Sequence, residues 1–339
     1  MGTETEKTNK IDAKHLFESS NRCILFTCLF CDNHGRGFCY LSLNEGGRIV
    51  DIGFIGGGKV GKSFGKYLIN NGYRVVGYYS RSLKSAKESA NFTNSLEFES
   101  LEAIVEASDA IFITTPDDTI EEVANSLSET GKLKKGQLLI HMSGAHSSRL
   151  LTKAKDEGCY IASLHPLQAF ANIEKAVLDL KETVFSIEGD DEAKEILLEL
   201  IQDCGNKFFT LKGEDKALYH GAACVVSNYL VTLMDLGISL LTAAGIDADV
   251  GFDALYPLIT GSMNNIKNLG TIKALTGPIV RGDVHTIKSH IDKLEEKLPN
   301  KLEFYKFLGR ETTSLAKKGR LKDEVAIEDL NKLWKEEIV

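Results

Sequence analysis

The first regular pattern in the chain is a short apolar run over residues 49–55, rich in β-branched side chains and followed at once by Gly56, Gly57 and Gly58. Such a run bounded by glycines predicts a strand. From Val60 to Ile69 the apolar positions recur at helical spacing, and Gly72 closes that helix. Residues 74–79 return to a strand pattern. Strand, glycine turn, helix and strand within about thirty residues make a βαβ unit.

The alternation continues. Helices are predicted over 82–90, 101–107 and 191–204, and strands over 109–115, 137–142, 160–164, 183–187 and 207–211. Asp117 or Asp118 is in place to cap the helix after the strand at 109–115. From Gly213 onward the pattern is helical only. Residues 214–244 predict one long, mostly apolar helix buried on most sides. Thr276-Gly277-Pro278 breaks the pattern, and 294–308 and 327–334 predict amphipathic closing helices. The expected architecture is an α/β Rossmann domain, doubly wound with a mostly parallel sheet, over 49–211, followed by an all-α domain over 212–339.

The glycine turn fits two phosphate-binding patterns. Gly56-x-Gly58-x-x-Gly61 is the dinucleotide fingerprint, with one glycine for the turn, one for approach of a pyrophosphate and one for helix packing. Gly56-x-x-x-x-Gly61-Lys62-Ser63 also fits a nucleoside triphosphate loop. In both, the helix N-terminus at Lys59 and Val60 offers free N–H groups to an anion. The second strand separates them. It ends in Tyr79-Ser80-Arg81-Ser82, with no acid to receive a ribose 2′-hydroxyl. A guanidinium and two hydroxyls suit a 2′-phosphate, so Ser80, Arg81 and Ser82 point to NADP. A triphosphatase would also need a strand ending directly in a magnesium-binding Asp, and the candidate strand ends in Thr114-Thr115-Pro116. The dinucleotide reading is therefore favoured over the triphosphatase, and over a turn that binds nothing.

Composition narrows the setting. The 339 residues are 43% hydrophobic and 26% charged, which suits an ordinary globular protein with room for two domains. The net charge of −8 argues against general nucleic-acid affinity. No uninterrupted apolar run approaches the ~20 residues of a membrane span, so no membrane partner is expected. The seven cysteines, with no secretory signal, fit reduced thiols in a cytoplasmic setting. Residues 1–48 read as a poorly structured extension carrying Cys23, Cys28, Cys31 and Cys39. Cys28-x-x-Cys31 has a zinc-ligand spacing, but its intervening residues are apolar and no second pair matches, so no metal site is expected.

Candidate chemistry gathers at strand ends, where doubly wound sheets bind ligands. Thr115 and Pro116 follow one strand, Ser143 follows the next, and His165 precedes Pro166 at the end of another. A residue before proline is held extended, which would let His165 face the nicotinamide. On the long helix Lys216 and His220 are four apart and share a face, with Ser227 further along and Asn228 flanking it. Polar groups on an apolar helix need partners or a use. A histidine titrates near neutral pH and suits proton donation, which makes His220 the first candidate. For His165 and His220 alike, the alternative is a structural histidine tied to the backbone.

Four stretches, IGGGKVG, SLHPLQAF, YHGAACVVSNYLVTL and LTGPIVRGD, carry a resemblance. From about Ile49 to Leu308 the chain resembles the Rossmann-like family of NADP-dependent oxidoreductases with a C-terminal helical domain of unknown function. That family is similar in architecture to pyrroline-5-carboxylate reductase, ketopantoate reductase and the 6-phosphogluconate dehydrogenase-like enzymes. The resemblance implies a 6-phosphogluconate dehydrogenase-like helical domain, a homodimer through it, and hydride transfer between NADP(H) and a small carbonyl, imine or hydroxy acid. In those relatives a lysine and an asparagine one turn apart on the first long helix line the active site. Lys216 stands at the lysine-like position and His220 where the asparagine would be. A non-catalytic NADP-binding regulator is the alternative.

Overall fold

The computed structural model describes residues 51–335. The described chain divides into two compact units, the first ending at Gly221 and the second beginning at Ala222. The cysteine-bearing extension and its zinc-like spacing lie outside the described residues.

The first unit opens with β1 (Asp51–Ile55), α1 (Lys59–Asn70), β2 (Arg74–Tyr79), α2 (Leu83–Thr93), β3 (Leu96–Phe98), α3 (Leu101–Ala107), β4 (Ala110–Ile113) and α4 (Ile120–Glu129). It continues with β5 (Leu138–His141), α5 (Thr152–Asp156), β6 (Tyr160–Pro166), α6 (Ile173–Asp179), β7 (Val184–Gly189), α7 (Asp191–Asp203) and β8 (Lys207–Thr210). One eight-stranded sheet results, in the order β3-β2-β1-β4-β5-β6-β7-β8. Every pairing is parallel except β6 with β7. The central strands are apolar on both faces because both faces are covered by helices. Phe54, Phe64, Phe112 and Phe185 belong to the core on one side, and Ile55, Ile113, Leu139 and Ile161 to the core on the other.

The antiparallel β7 positions the site. Its register sets Ser186 opposite His165 and Glu188 opposite Ser163, and paired residues share a face. On β5, His141 is level with Ser163. The second apolar face, Leu139 and Ile161, thus becomes polar toward the carboxyl ends of the strands, at His141, Ser163 and His165.

After β8 come α8 (Lys216–Cys224), a π turn (Val225–Tyr229) and α9 (Leu230–Ala243). The predicted long helix is present, but its burial is not. From Gly213 to Ala243 it is long and apolar enough to cross a membrane by length and composition, with a mean hydropathy of 1.6, and only 6% of its most apolar window is buried. That corrects two expectations: a buried helix, and no stretch of spanning character. Apolar periodicity reports that a face avoids water, not what covers it.

The second unit adds α10 (Ala248–Ala274), α11 (Pro278–Arg281), α12 (Val284–Lys297), α13 (Pro299–Lys318) and α14 (Glu324–Leu333). The closing helix predicted over 294–308 is two helices, because Pro299 has no N–H to continue α12 and starts α13 instead. Ile287, Ile291, Leu330 and Trp334 form the core here, and Trp334 Nε1–H donates to Thr313 Oγ1 at 3.0 Å.

Candidate functional site

The glycine turn comes first. Gly56 has φ +109°, a conformation that favours glycine, and its N–H donates to the Tyr79 carbonyl at 2.8 Å. A Cβ on Gly61 would lie 2.5 Å from Thr114 Oγ1, so only glycine lets α1 approach β4 so closely. Gly58 differs: a Cβ there would meet nothing nearer than 4.0 Å. It leaves an open cradle at the N-terminus of α1, the place a phosphate would take. Gly57, which the fingerprint does not require, packs on Ser85 and Ser89 of α2.

A pocket runs from this turn along the end of β2. Gly56, Gly57, Gly58, Ser80, Arg81, Thr115 and Pro116 line it, with Leu101 and Val123 among its apolar walls. Thr115 Oγ1 is buried without a hydrogen-bond partner, a polar atom that a ligand would satisfy. The donor set and the open cradle fit a dinucleotide. They do not fit a triphosphate loop, because Ser63 is fully buried and donates to the Ile173 carbonyl at 3.3 Å, while Lys62 faces Glu88 at 3.5 Å.

Four of the expected cofactor residues are placed differently. Ser82 is not among the pocket-lining residues; it precedes α2 and its carbonyl accepts from Ala86 N–H at 3.1 Å. Lys59 donates its ammonium to the Ala171 carbonyl at 2.6 Å. Val60 packs on the core with its side chain, leaving only its backbone for an anion. The Ser143 hydroxyl is already engaged: it donates to Asp117 Oδ2 at 2.8 Å and accepts from Ala145 and His146 N–H. Asp117 therefore ties two strand ends together and does not cap α4 with its side chain.

The second cluster sits where β5, β6 and β7 turn polar. Lys216 opens α8 and is 1% exposed. Its ammonium donates to the Ser143 carbonyl at 2.8 Å and to Ser163 Oγ. Burial brings this lysine down to about 8, against the opposing pull of Glu188 and Asp117. Glu188 accepts from Ser148 N–H at 2.7 Å and from Ser148 Oγ at 2.9 Å. His141 is fully buried; Nε2–H donates to the Ser147 carbonyl at 3.0 Å and Nδ1 accepts from Ser143 N–H at 3.2 Å. Lys216 and His141 thus hold the two ends of the 143–147 loop.

His165 and His220 converge over that loop. Their ring centroids are 6.3 Å apart. A methyl on Gly144 would lie 2.8 Å from His220 Cδ2 and 2.9 Å from His165 Nε2. His165 Nδ1 is 2.7 Å from the Tyr219 hydroxyl. Burial, with Lys216 and His220 adding to it, holds His165 down to about 4, so the ring is neutral at physiological pH. Asn228, the remaining catalytic candidate, lies exposed in the π turn of the second unit. Sequence reasoning overlooked His141, Gly144, Ser163, Ser186, Glu188 and Tyr219. Polar residues at alternate positions in ASLHP and FSIE were the available signal.

Residues 45–166 match the model of a Rossmann-like domain, and residues 183–312 match a domain of unknown function, DUF2520. None of the curated proteins compared matches the chain. A solved structure assigned as an NADP oxidoreductase, from Bacteroides fragilis, is similar at 24% identity and a TM-score of 0.65, over 78% of this chain and 98% of that one. Protein TM1727 from Thermotoga maritima is similar at 27% identity and a TM-score of 0.58, over 84% and 98%. Pyrroline carboxylate reductase from Plasmodium falciparum, solved with NADP bound, is similar at 16% identity and a TM-score of 0.51, over 84% and 98%. The Bacteroides and Plasmodium likenesses are likenesses of fold. The chain carries a Rossmann-like domain followed by a DUF2520 domain.

Proposed function

We propose that this protein is an NADP-dependent oxidoreductase acting on a small carbonyl, imine or hydroxy-acid substrate. The observation that supports it most is the pairing, in the first unit, of an open glycine cradle at Gly58 after β1 with two imidazoles converging on Gly144 after β5. A nicotinamide cofactor, when bound, supplies or removes the hydride. The chain's own residues do the rest. The N-terminus of α1 holds a pyrophosphate, and Ser80 and Arg81 take a 2′-phosphate. His220 delivers the proton that a reduced oxygen or nitrogen needs. His165, neutral, donates a hydrogen bond to the same atom. Lys216 holds the Ser143 carbonyl and places a positive charge behind the loop, where it favours negative charge developing on the substrate.

NADPH consumption with a panel of keto and imino acids tests this reading. Tight NADPH binding without turnover would favour a non-catalytic NADP-binding regulator. We further propose that a second copy of the chain covers the apolar face of the second unit. Val226, Tyr229, Val231, Tyr256 and Leu258 are each more than half exposed there, and a single soluble chain rarely leaves so much apolar surface in water.

A further inference from the structure

We infer that Tyr219 is a positioning residue that fixes His165 as its Nε2–H tautomer, so that the imidazole edge facing Gly144 is a hydrogen-bond donor. A neutral imidazole has one N–H and one bare nitrogen, and the bond made by one nitrogen sets the state of the other. The 2.7 Å contact between His165 Nδ1 and the Tyr219 hydroxyl allows two arrangements. Either the phenol donates to Nδ1, or Nδ1–H donates to the phenol oxygen and the phenol proton needs another acceptor.

The partners of the phenol separate the two. Among the described residues the one hydrogen bond of standard geometry at the Tyr219 hydroxyl is the contact with His165 Nδ1. If Nδ1–H donated across it, the phenol proton would be left without an acceptor, because the neighbouring Ser186 hydroxyl, fully buried, makes no bond of that geometry. If the phenol donates, its proton is used and the ring proton stays on Nε2. An unpaired donor away from water is costly, so the phenol donates to Nδ1.

The surroundings hold the geometry. Phe209 packs edge-on against the Tyr219 ring, with centroids 5.7 Å apart. Pro166 follows His165 and keeps its backbone extended, and β7 sets Ser186 opposite His165 in register. The Nε2 edge lies against Gly144 and His220. An Nε2–H there donates to a carbonyl oxygen, whereas the other tautomer would present a lone pair to it. The inference rests on the reading above only for what that donor serves; the tautomer itself is measured without any substrate.

The experiment is ¹⁵N NMR of the full chain labelled at histidine, with His165 assigned by comparison with His165→Gln. The expected wild-type spectrum has His165 Nδ1 unprotonated and Nε2 protonated at neutral pH. In Tyr219→Phe the two nitrogens should move toward averaged shifts, as both tautomers become populated. A wild-type Nδ1–H tautomer overturns the inference, and so does an Nε2–H tautomer unchanged in Tyr219→Phe. Should Tyr219→Phe fail to fold, 3-fluorotyrosine incorporation keeps the ring and makes the phenol a stronger donor. The His165 Nδ1 resonance should then shift, and an unmoved resonance overturns the assignment. Absence of reductase activity alongside the expected spectra would count against the functional reading and leave the tautomer standing.

Discussion

His165, on the sixth strand, and His220, on the helix after the last strand, meet with ring centroids 6.3 Å apart and planes at 75°. Gly144 lies under both, and no larger residue fits there without displacing one of the rings. Gly144→Ala should therefore separate the imidazoles. We expect turnover to fall by roughly 10², the effect of a misplacement of about 1 Å, with NADPH affinity unchanged. Wild-type turnover in Gly144→Ala would remove the histidine pair from the mechanism.

His220→Gln separates catalysis from structure at the same place. As proton donor, its loss should lower turnover by roughly 10²–10⁴ and leave NADPH binding intact. A lower melting temperature with normal turnover of the folded fraction would mark His220 as structural.

Lys216→Met makes the converse case. The methionine loses the bonds to Ser143 and Ser163 but relieves the burial of a charge. These effects oppose each other: the charge no longer has to be kept out of water, but two hydrogen-bond acceptors lose their donor and buried Glu188 loses a counter-charge. The melting temperature should stay within roughly 3 °C of wild type, about 1–2 kcal/mol for a chain of this size, while activity is lost. A large fall in stability with activity retained would make the lysine a structural pin only.

Acid should destabilise the first unit. Burial holds His165 at about 4 and His141 at about 3, whereas an unfolded histidine titrates near 6.5. Between those values the unfolded chain binds more protons, so stability falls as pH drops from 6.5 toward 4. The slope contributed is at most ~1.4 kcal/mol per pH unit for each ring. Urea midpoints at pH 7 and pH 5 measure it; equal midpoints would mean that the rings are not held neutral.

Much of this was legible in the chain. Gly56, Gly58 and Gly61 announce the turn because each fills a position where a side chain cannot go or an anion must. Ser163 and His165 alternate along a strand, which already places them on one face. The direction of β7 was not legible, since a strand's pattern of apolar residues is the same whichever way it runs. With the direction hidden, Ser186 and Glu188 could not be paired with the site. Tyr219 reads as one more large residue on an apolar helix, and only its contact with His165 distinguishes it. The exposure of the apolar helix over 214–244 was not legible for a related reason. Hydrophobicity tells that a surface avoids water; it does not tell what lies against it.

That face carries its own prediction. Sedimentation at micromolar concentration should give a dimer. A monomer, or partition of the protein into lipid vesicles, would contradict a second copy as the cover.

The cofactor assignment is measured most directly by titrating NADPH and NADH into wild type and Arg81→Ala and following oxidation with the keto and imino acid panel. Wild type should prefer NADPH and turn over at least one member of the panel. Arg81→Ala should weaken NADPH binding by ~1.5–3 kcal/mol and leave NADH almost untouched. Failure of wild type to bind either nucleotide, or equal losses for both in Arg81→Ala, would contradict the assignment.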